Sequence, residues 1–142
     1  MEVIFANDKI DECLKIRAEV FVDEQNVPAE IEVDGFDSTD APCDHFLIYD
    51  NGEYAGTFRC IFEGKAVHVG RLCIKKDKRG RGYGRAAIEF IEEEYASRGF
   101  NKITLGAQCT AIPFYEKCGF SVVSDVFLDA GIKHRTMEKR IQ

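Results

Sequence analysis

A chain of 142 residues, 45% of them hydrophobic, is long enough for one domain that buries about two-thirds of its unfolded surface. It has no apolar run near the ~18 residues needed to span a bilayer and no targeting segment at its acidic N-terminus, so we expect a cytoplasmic protein. The formal net charge of −6 argues against nucleic acid as the main partner, because binding to a phosphate backbone needs a broad basic face.

The first half of the chain predicts a strand, a helix, an acidic segment and a hairpin. Residues 2–6 are typical of a strand, and the apolar spacing from Ile10 to Val20 is helical. From Glu19 to Asp44 the chain has nine acidic residues and no Lys or Arg. We expect a short helix and a long loop there, which either is simply solvated or attracts a cationic ligand. Asn51-Gly52 between two apolar runs then indicates a β-hairpin.

The second half alternates strands and helices. Ala87, Phe90, Ile91 and Tyr95 share one face of a helix. Further strands are predicted at 65–76, at 102–107, from 119 onward and at 134–141, with a short helix at 110–118. The order β-α-(α)-β-β-β-α-β-α-β-β predicts a single α+β domain over residues 1–142, with a mixed, mainly antiparallel sheet flanked by helices.

The six cysteines do not predict a metal site. They are scattered, with no C-x-x-C pair, and the three histidines do not supply zinc-ligand spacing either. We therefore expect reduced thiols packed as small apolar side chains, and no bound metal. His68 and His134 are expected to be surface or sheet residues.

A basic, glycine-rich loop joins the strand at 65–76 to the helix that follows. Six cations and one aspartate fall within residues 75–85, so this segment carries +5 and the rest of the chain −11. Gly80, Gly82 and Gly84 allow close backbone approach, and a helix start offers unpaired N–H groups, which together can cradle a pyrophosphate. The spacing excludes a Walker A loop and a dinucleotide fingerprint. A tight turn with solubilising charge is the alternative.

Two motifs in this part of the chain resemble those of the GNAT N-acetyltransferase superfamily. Arg79, Gly82 and Gly84 match its acetyl-CoA loop, R/Q-x-x-G-x-G/A. A second motif follows in "QCTAIPFYEKCGF", where Gln108 stands in place of the usual Asn. The matching residues there are Ala111, Tyr115, Lys117, Gly119 and Phe120. The stretch "IRAEVFVDEQNVPAEIEVDGFD" is similar to the small ElaA-type branch of that superfamily.

The resemblance implies an acetyl-CoA-dependent N-acetyltransferase that acetylates the amine of a small molecule or a lysine by direct attack in a ternary complex. The alternatives are a non-catalytic CoA-binding or sensor module and a small nucleic-acid binder. The sequence does not indicate the oligomeric state, and a homodimer is one of the states it allows. By resemblance, the loop binds the phosphates of CoA and the preceding strand pairs with its pantetheine arm. The expected CoA-binding residues are Leu72, Cys73, Ile74, Arg79, Gly80, Arg81, Gly82, Tyr83, Gly84, Arg85 and Gln108.

The resemblance assigns the general acid for the departing thiolate to Tyr115, with a core aromatic as the alternative. The general base is less defined, because Gly70 and Arg71 occupy the positions where many relatives carry a carboxylate. Arg71 could instead hold a carboxylate or phosphate of the acceptor. The candidate bases are Glu24, Asp34 and His45, and a base relayed through water is a further possibility.

Overall fold

An eight-stranded sheet forms the centre of the protein, and helices pack on its two faces. The computed structural model describes residues 1–142. The strands are β1 (Glu2–Phe5), β2 (Cys43–Asp50), β3 (Glu53–Glu63), β4 (Ala66–Ile74), β5 (Lys102–Gln108), β6 (Ser121–Val122), β7 (Phe127–Asp129) and β8 (Ile132–Arg140). The helices are α1 (Ile10–Arg17), continued by a π-helix (Ala18–Glu24), α2 (Ala29–Glu32), α3 (Tyr83–Ser97) and α4 (Ile112–Lys117). None of them has the length and apolarity to cross a bilayer.

The sheet is mixed and mainly antiparallel, which confirms the predicted α+β class. Its strand order is β1-β2-β3-β4-β5-β8-β6, with β7 paired to β8, and β4 with β5 is the parallel pair. The β2–β3 hairpin turns at Asn51 and Gly52, both with positive φ, as the Asn-Gly pair predicts. The predicted order missed β7, because Phe127–Asp129 is exposed throughout and shows no alternation of apolar and polar residues.

Alternate residues of β2 face two separate hydrophobic cores. Phe46 and Ile48 contribute to the larger core, which includes the predicted buried face of α3. Leu47, between them, packs with α1 and its π-helical continuation. Because successive strand residues point to opposite faces of a sheet, this one strand holds helices on both sides. All six cysteines are free, and four of them are buried.

Ion pairs bind part of the acidic segment to the rest of the protein. Three of its carboxylates, those of Glu32, Asp34 and Asp37, are bound by arginines from α1, β3 and β4. Arg17 is only 1% exposed, and its Nε lies 3.0 Å from Glu32. The prediction that the segment is solvated or attracts a cationic ligand is therefore wrong for these three acids, whose charge the arginines neutralise, whereas Asp23, Glu30 and Asp40 are exposed and form no ion pair.

Asp37 holds two of these arginines together. Its carboxylate accepts hydrogen bonds from Arg17 at 2.6 Å and from Arg59 at 3.0 Å. Burial alone would raise the pKa of Asp37, but the hydrogen bonds from Arg17 and the Asp34 N–H, together with the charges of Arg17 and Arg59, lower it to about 2. The ion pairs thus fasten the 29–37 segment to the sheet.

Asp37→Asn should destabilise the fold by about 3 kcal/mol near neutral pH, because it leaves two buried arginines without that carboxylate. The pKa of about 2 lies below the ordinary value of 3.8, so the carboxylate stabilises the wild type above pH 4. This contribution is lost as the pH falls from 4 to 2. Urea unfolding at pH 7, 4 and 2.5 should show the gap between the two proteins narrowing in acid. A gap that stays constant would contradict this role for Asp37.

Candidate functional site

β4 and β5 pair over only part of their lengths. Their parallel register runs from Ala66 and Lys102 to Val69 and Leu105, although both strands continue beyond it. A β-bulge in β4 begins just after this register ends, since two β4 residues lie opposite a single residue of β3. A bulge bends its strand, so β4 turns away from β5 and a cleft opens between them.

Arg71 is one of the two bulge residues, and its backbone has a φ of +53°. This is the left-handed region, which is unfavourable for residues other than glycine. The side chain of Arg71 is held in place from the opposite wall: its Nε lies 2.8 Å from Glu32 Oε2, and its Nη2 donates to the Glu32 carbonyl at 3.0 Å. The buried carboxylate of Glu32 thereby supports the conformation that opens the cleft.

A cavity of about 770 Å³ occupies the cleft, within the size range typical of ligand sites. Its walls come from the end of β4, the basic loop, the start of α3, α4, the β7–β8 turn and the π-helix. All of the sequence-predicted CoA-binding residues line it except Arg81, and Tyr115 lines it as well. The lining residues among them are Leu72, Cys73, Ile74, Arg79, Gly80, Gly82, Tyr83, Gly84, Arg85 and Gln108.

The glycines of the loop have different structural roles. Gly82 precedes α3 with a φ of +81°. Only a residue without a Cβ adopts this conformation without strain, so the position favours glycine. Gly84 lies in the first turn of α3, where a Cβ would meet the Phe114 ring at 3.2 Å. The hydroxyl of Tyr83 donates to Asp50 at 2.5 Å and anchors the helix start to β2. The first N–H groups of α3 have no intrahelical acceptors and are therefore available to a ligand.

Most cations of the basic loop already have acidic partners. Lys75, Lys78, Arg79 and Arg85 form ion pairs with Glu19, Glu53, Glu24 and Glu89 respectively. Lys76 and Arg81 form no ion pair with a carboxylate. The loop therefore offers a new anion two free cations and the backbone N–H groups, rather than its full formal charge.

The end of the π-helix spans the cleft through two contacts. Arg79 donates to both carboxylate oxygens of Glu24, at 2.8 and 2.9 Å, and its Nε donates to the Ile74 carbonyl. On the other side, the Gln108 amide donates to Gln25 at 2.9 Å. The hydrogen bond from Arg79 lowers the pKa of Glu24, and Glu24 does not line the cavity. In this arrangement Glu24 is an ion-pair partner rather than a free base.

The two other candidate bases also lie outside the cavity lining. His45 is 1% exposed, its Nε2 lies 2.9 Å from the Phe36 carbonyl, and burial lowers its pKa. Asp34 is bound by Arg59 at 2.7 Å. Neither side chain lines the cavity, although Asp34 also lies 3.4 Å from Nη2 of the cavity-lining Arg71.

Two histidines that the sequence did not single out do line the cavity. His68 lies on β4, with its Nδ1 2.8 Å from the Thr104 hydroxyl, and burial lowers its pKa. His134 lies on β8 directly opposite Gln108 in the sheet, with its Nδ1 2.7 Å from the Ile132 carbonyl. Only the strand pairing brings them to the site, and no motif spacing in the sequence marks them.

Tyr115 lies on α4, with its ring edge-on to both Phe114 and Phe120. Burial, with a smaller effect from Cys118, raises the pKa of its hydroxyl to about 12. The hydroxyl has no hydrogen-bond partner in the protein. Tyr115 is therefore a protonated donor at neutral pH that is free to bind a ligand in the cleft.

The chain matches the acetyltransferase (GNAT) domain over residues 11–141. It belongs to the GNAT family. The uncharacterized N-acetyltransferase YjcF of Bacillus subtilis is 36% identical over 133 residues, covering 93% of each chain. Among solved GNAT-like structures, Escherichia coli ElaA superposes with a TM-score of 0.84 at 26% identity, covering 97% of this chain and 98% of ElaA. An acyl-CoA N-acyltransferase from Pseudomonas aeruginosa superposes with a TM-score of 0.84 at 25% identity, covering 97% of each chain.

The two glycines around the start of α3 should respond differently to alanine. Gly82→Ala should destabilise the fold by about 1 kcal/mol, because its φ is unfavourable for any residue with a Cβ. Gly84→Ala should change stability by less than about 0.5 kcal/mol, since better helix propensity offsets the close contact with Phe114. Urea unfolding of both variants measures this. If Gly84→Ala were the less stable variant, the left-handed conformation assigned to Gly82 would be contradicted.

Proposed function

We propose that this GNAT protein is an acetyl-CoA-dependent N-acetyltransferase that transfers the acetyl group to an amine by direct attack in a ternary complex. The observation that carries the proposal is the cleft between β4 and β5, which joins the basic loop to Tyr115. An unpaired strand edge suits an extended, amide-containing chain such as pantetheine, and a glycine-rich helix start suits a pyrophosphate. The similar structure from Pseudomonas aeruginosa is that of an acyl-CoA N-acyltransferase, which supports the same cosubstrate class.

The residues of the cleft would divide the binding of CoA among them. Backbone groups of Leu72–Ile74, on the edge of β4 that β5 leaves unpaired, would bind the pantetheine arm. The N–H groups at the start of α3 would bind the pyrophosphate. Arg81 and Lys76, the loop cations without a carboxylate partner, would bind the 3′-phosphate. Arg79 would position the loop, since its guanidinium already holds Glu24 and the Ile74 carbonyl.

The chain must assist three events in the transfer. An acceptor ammonium with an ordinary pKa near 10.4 must first lose a proton, and we propose that water in the cleft carries it. A β4 backbone N–H then stabilises the oxyanion that forms as the amine nitrogen attacks the thioester carbonyl. As the carbon–sulfur bond breaks, Tyr115 donates its proton to the sulfur, and the second proton lost by the amine nitrogen returns through water to the Tyr115 oxygen. The raised pKa of Tyr115 keeps this proton in place across the neutral range.

Cys73 lines the cleft but is a poor nucleophile. Its burial raises the pKa of the thiol, which keeps it in the unreactive protonated form. No hydrogen bond from a basic side chain activates it. This supports direct transfer over an acetyl-cysteine route.

Thiol release from acetyl-CoA in the presence of an amine panel tests the proposal. Tyr115→Phe should reduce the rate at saturating acetyl-CoA by about 100-fold, because general acid catalysis contributes at least that much. Its thermal shift with acetyl-CoA should stay as in the wild type. The ratio of the wild-type rate to the Tyr115→Phe rate should be constant from pH 6 to pH 10, since the pKa of about 12 keeps Tyr115 protonated there.

The same two measurements separate the alternative functions. A full thermal shift with no thiol release from any amine would indicate a non-catalytic CoA-binding module. Unchanged turnover in Tyr115→Phe would assign Tyr115 to the core.

Arg81→Ala should weaken CoA binding about tenfold while leaving dephospho-CoA almost unaffected, because it removes one charge-assisted contact to the 3′-phosphate. Arg79→Ala is the matched control and should weaken the binding of both ligands equally. Without Arg79 the whole loop loses its anchor, whereas no single phosphate loses a contact. Isothermal titration with both ligands measures this. Equal losses for the two ligands in Arg81→Ala would place that side chain at the pyrophosphate.

A further inference from the structure

The part of the cavity that the CoA-binding residues leave free, which we call the acceptor end, is mainly apolar and contains few acids. It is lined by Phe21, Val27, Ile31, Gly70, Arg71 and Asp129. Besides Asp129, the cavity wall contains one other carboxylate, that of Glu32. Glu32 is 3% exposed and bound by Arg17 and Arg71, so it is not available to a cation. A polycationic acceptor would find little to bind here.

Arg71 presents an unused donor at the acceptor end. Its Nε is held by Glu32 and its Nη2 by Glu32 and, at 3.4 Å, by Asp34, but its Nη1 makes no hydrogen bond within the protein. The side chain is 26% exposed and lines the cavity. Because the guanidinium is locked on one side, its free nitrogen has a defined position, which suits it to bind an anion.

A second unused donor lies under Gly70. Arg59 pairs with Gly70 across the sheet, and its Nε is the one buried side-chain nitrogen or oxygen without a hydrogen-bond partner. A Cβ built on Gly70 would meet only this Nε, at 3.9 Å, so the space above Gly70 is open. A buried N–H without an acceptor is unfavourable. Arg59 does not itself line the cavity, so an oxygen beside Gly70 would satisfy this N–H once the Arg59 side chain shifted toward it.

We propose that the acceptor is a small amine that also bears a carboxylate, and that this carboxylate binds above Gly70 to Arg71 Nη1 and Arg59 Nε. The proposal rests on the acetyltransferase function proposed above. Gly70 is two residues before Leu72, where the thioester would lie, and because the bulge at Arg71 interrupts the extended chain the two residues are separated by less than the ~7 Å of a regular strand. That spacing suits an α- to γ-amino acid, and the apolar side chains of the acceptor end would contact its hydrocarbon part.

Matched acceptors test the proposal through turnover. In the wild type, kcat/KM calculated per unprotonated amine should be at least about tenfold higher for leucine than for 3-methylbutylamine, which lacks only the carboxylate. Gly70→Glu introduces a carboxylate into the same space and should reduce this ratio to about one. Gly70→Gln, equal in size without the charge, should retain part of the preference. Three results would overturn the proposal. The first is a wild-type ratio of one or less, and the second is an equal ratio in both variants. The third is a higher kcat/KM for phosphoethanolamine than for every amino acid.

Binding of the acetylated products tests the carboxylate site without turnover. In isothermal titrations of the CoA complex, N-acetylleucine should bind with a dissociation constant at least about tenfold lower than that of N-(3-methylbutyl)acetamide. Arg71→Gln and Gly70→Glu should both remove this difference. If the wild type shows this difference in affinity but releases no thiol with any amine, the carboxylate site is correct and the proposed enzymatic function is wrong. If the two products bind wild type equally, the carboxylate site is wrong, whatever the turnover.

Discussion

The extra residue in β4 is the constraint on which the site depends. Without the bulge, β4 would continue in register with β5, and the strand edge that lines the cleft would be used in sheet pairing. The bulge places Arg71 in a left-handed conformation, and Glu32 from the acidic segment holds its side chain. The local strain is therefore balanced by ion pairs with a segment that lies almost forty residues earlier in the chain.

Internal charge pairing changes how the composition of this protein should be interpreted. The acidic segment and the basic loop differ strongly in formal charge, yet both are largely neutralised by contacts within the fold. Arg17 and Arg59 bind carboxylates of the acidic segment, and Glu24 binds Arg79 of the loop. What remains for ligands is a small number of directed donors: backbone N–H groups at α3, two loop cations, Tyr115, and the free nitrogens at the acceptor end. Specificity would come from these donors rather than from a broad surface field.

The two ends of the cavity differ in how they are built. The end that we propose binds CoA consists of one continuous stretch, from the end of β4 through the loop into α3, closed by α4. The acceptor end collects residues from the π-helix, α2, β4 and the β7–β8 turn. A family that shares the continuous stretch can thus share a cosubstrate while its members differ at the acceptor end, where the contributing segments vary independently.

The sequence by itself determined the fold class, the β2–β3 turn and the buried face of α3, and it identified the glycine loop as a candidate binding segment. These features depend on local backbone geometry and on spacing within a few neighbouring residues, which the chain displays directly. Only the tertiary structure decided that Glu24, Asp34 and His45 lie outside the cleft, that His68 and His134 line it, and that Arg71 and Arg59 have unused nitrogens beside Gly70. The physical reason is pairing at a distance: whether a carboxylate or guanidinium is free depends on which side chain from a remote segment lies against it. No local pattern in the sequence encodes that neighbour.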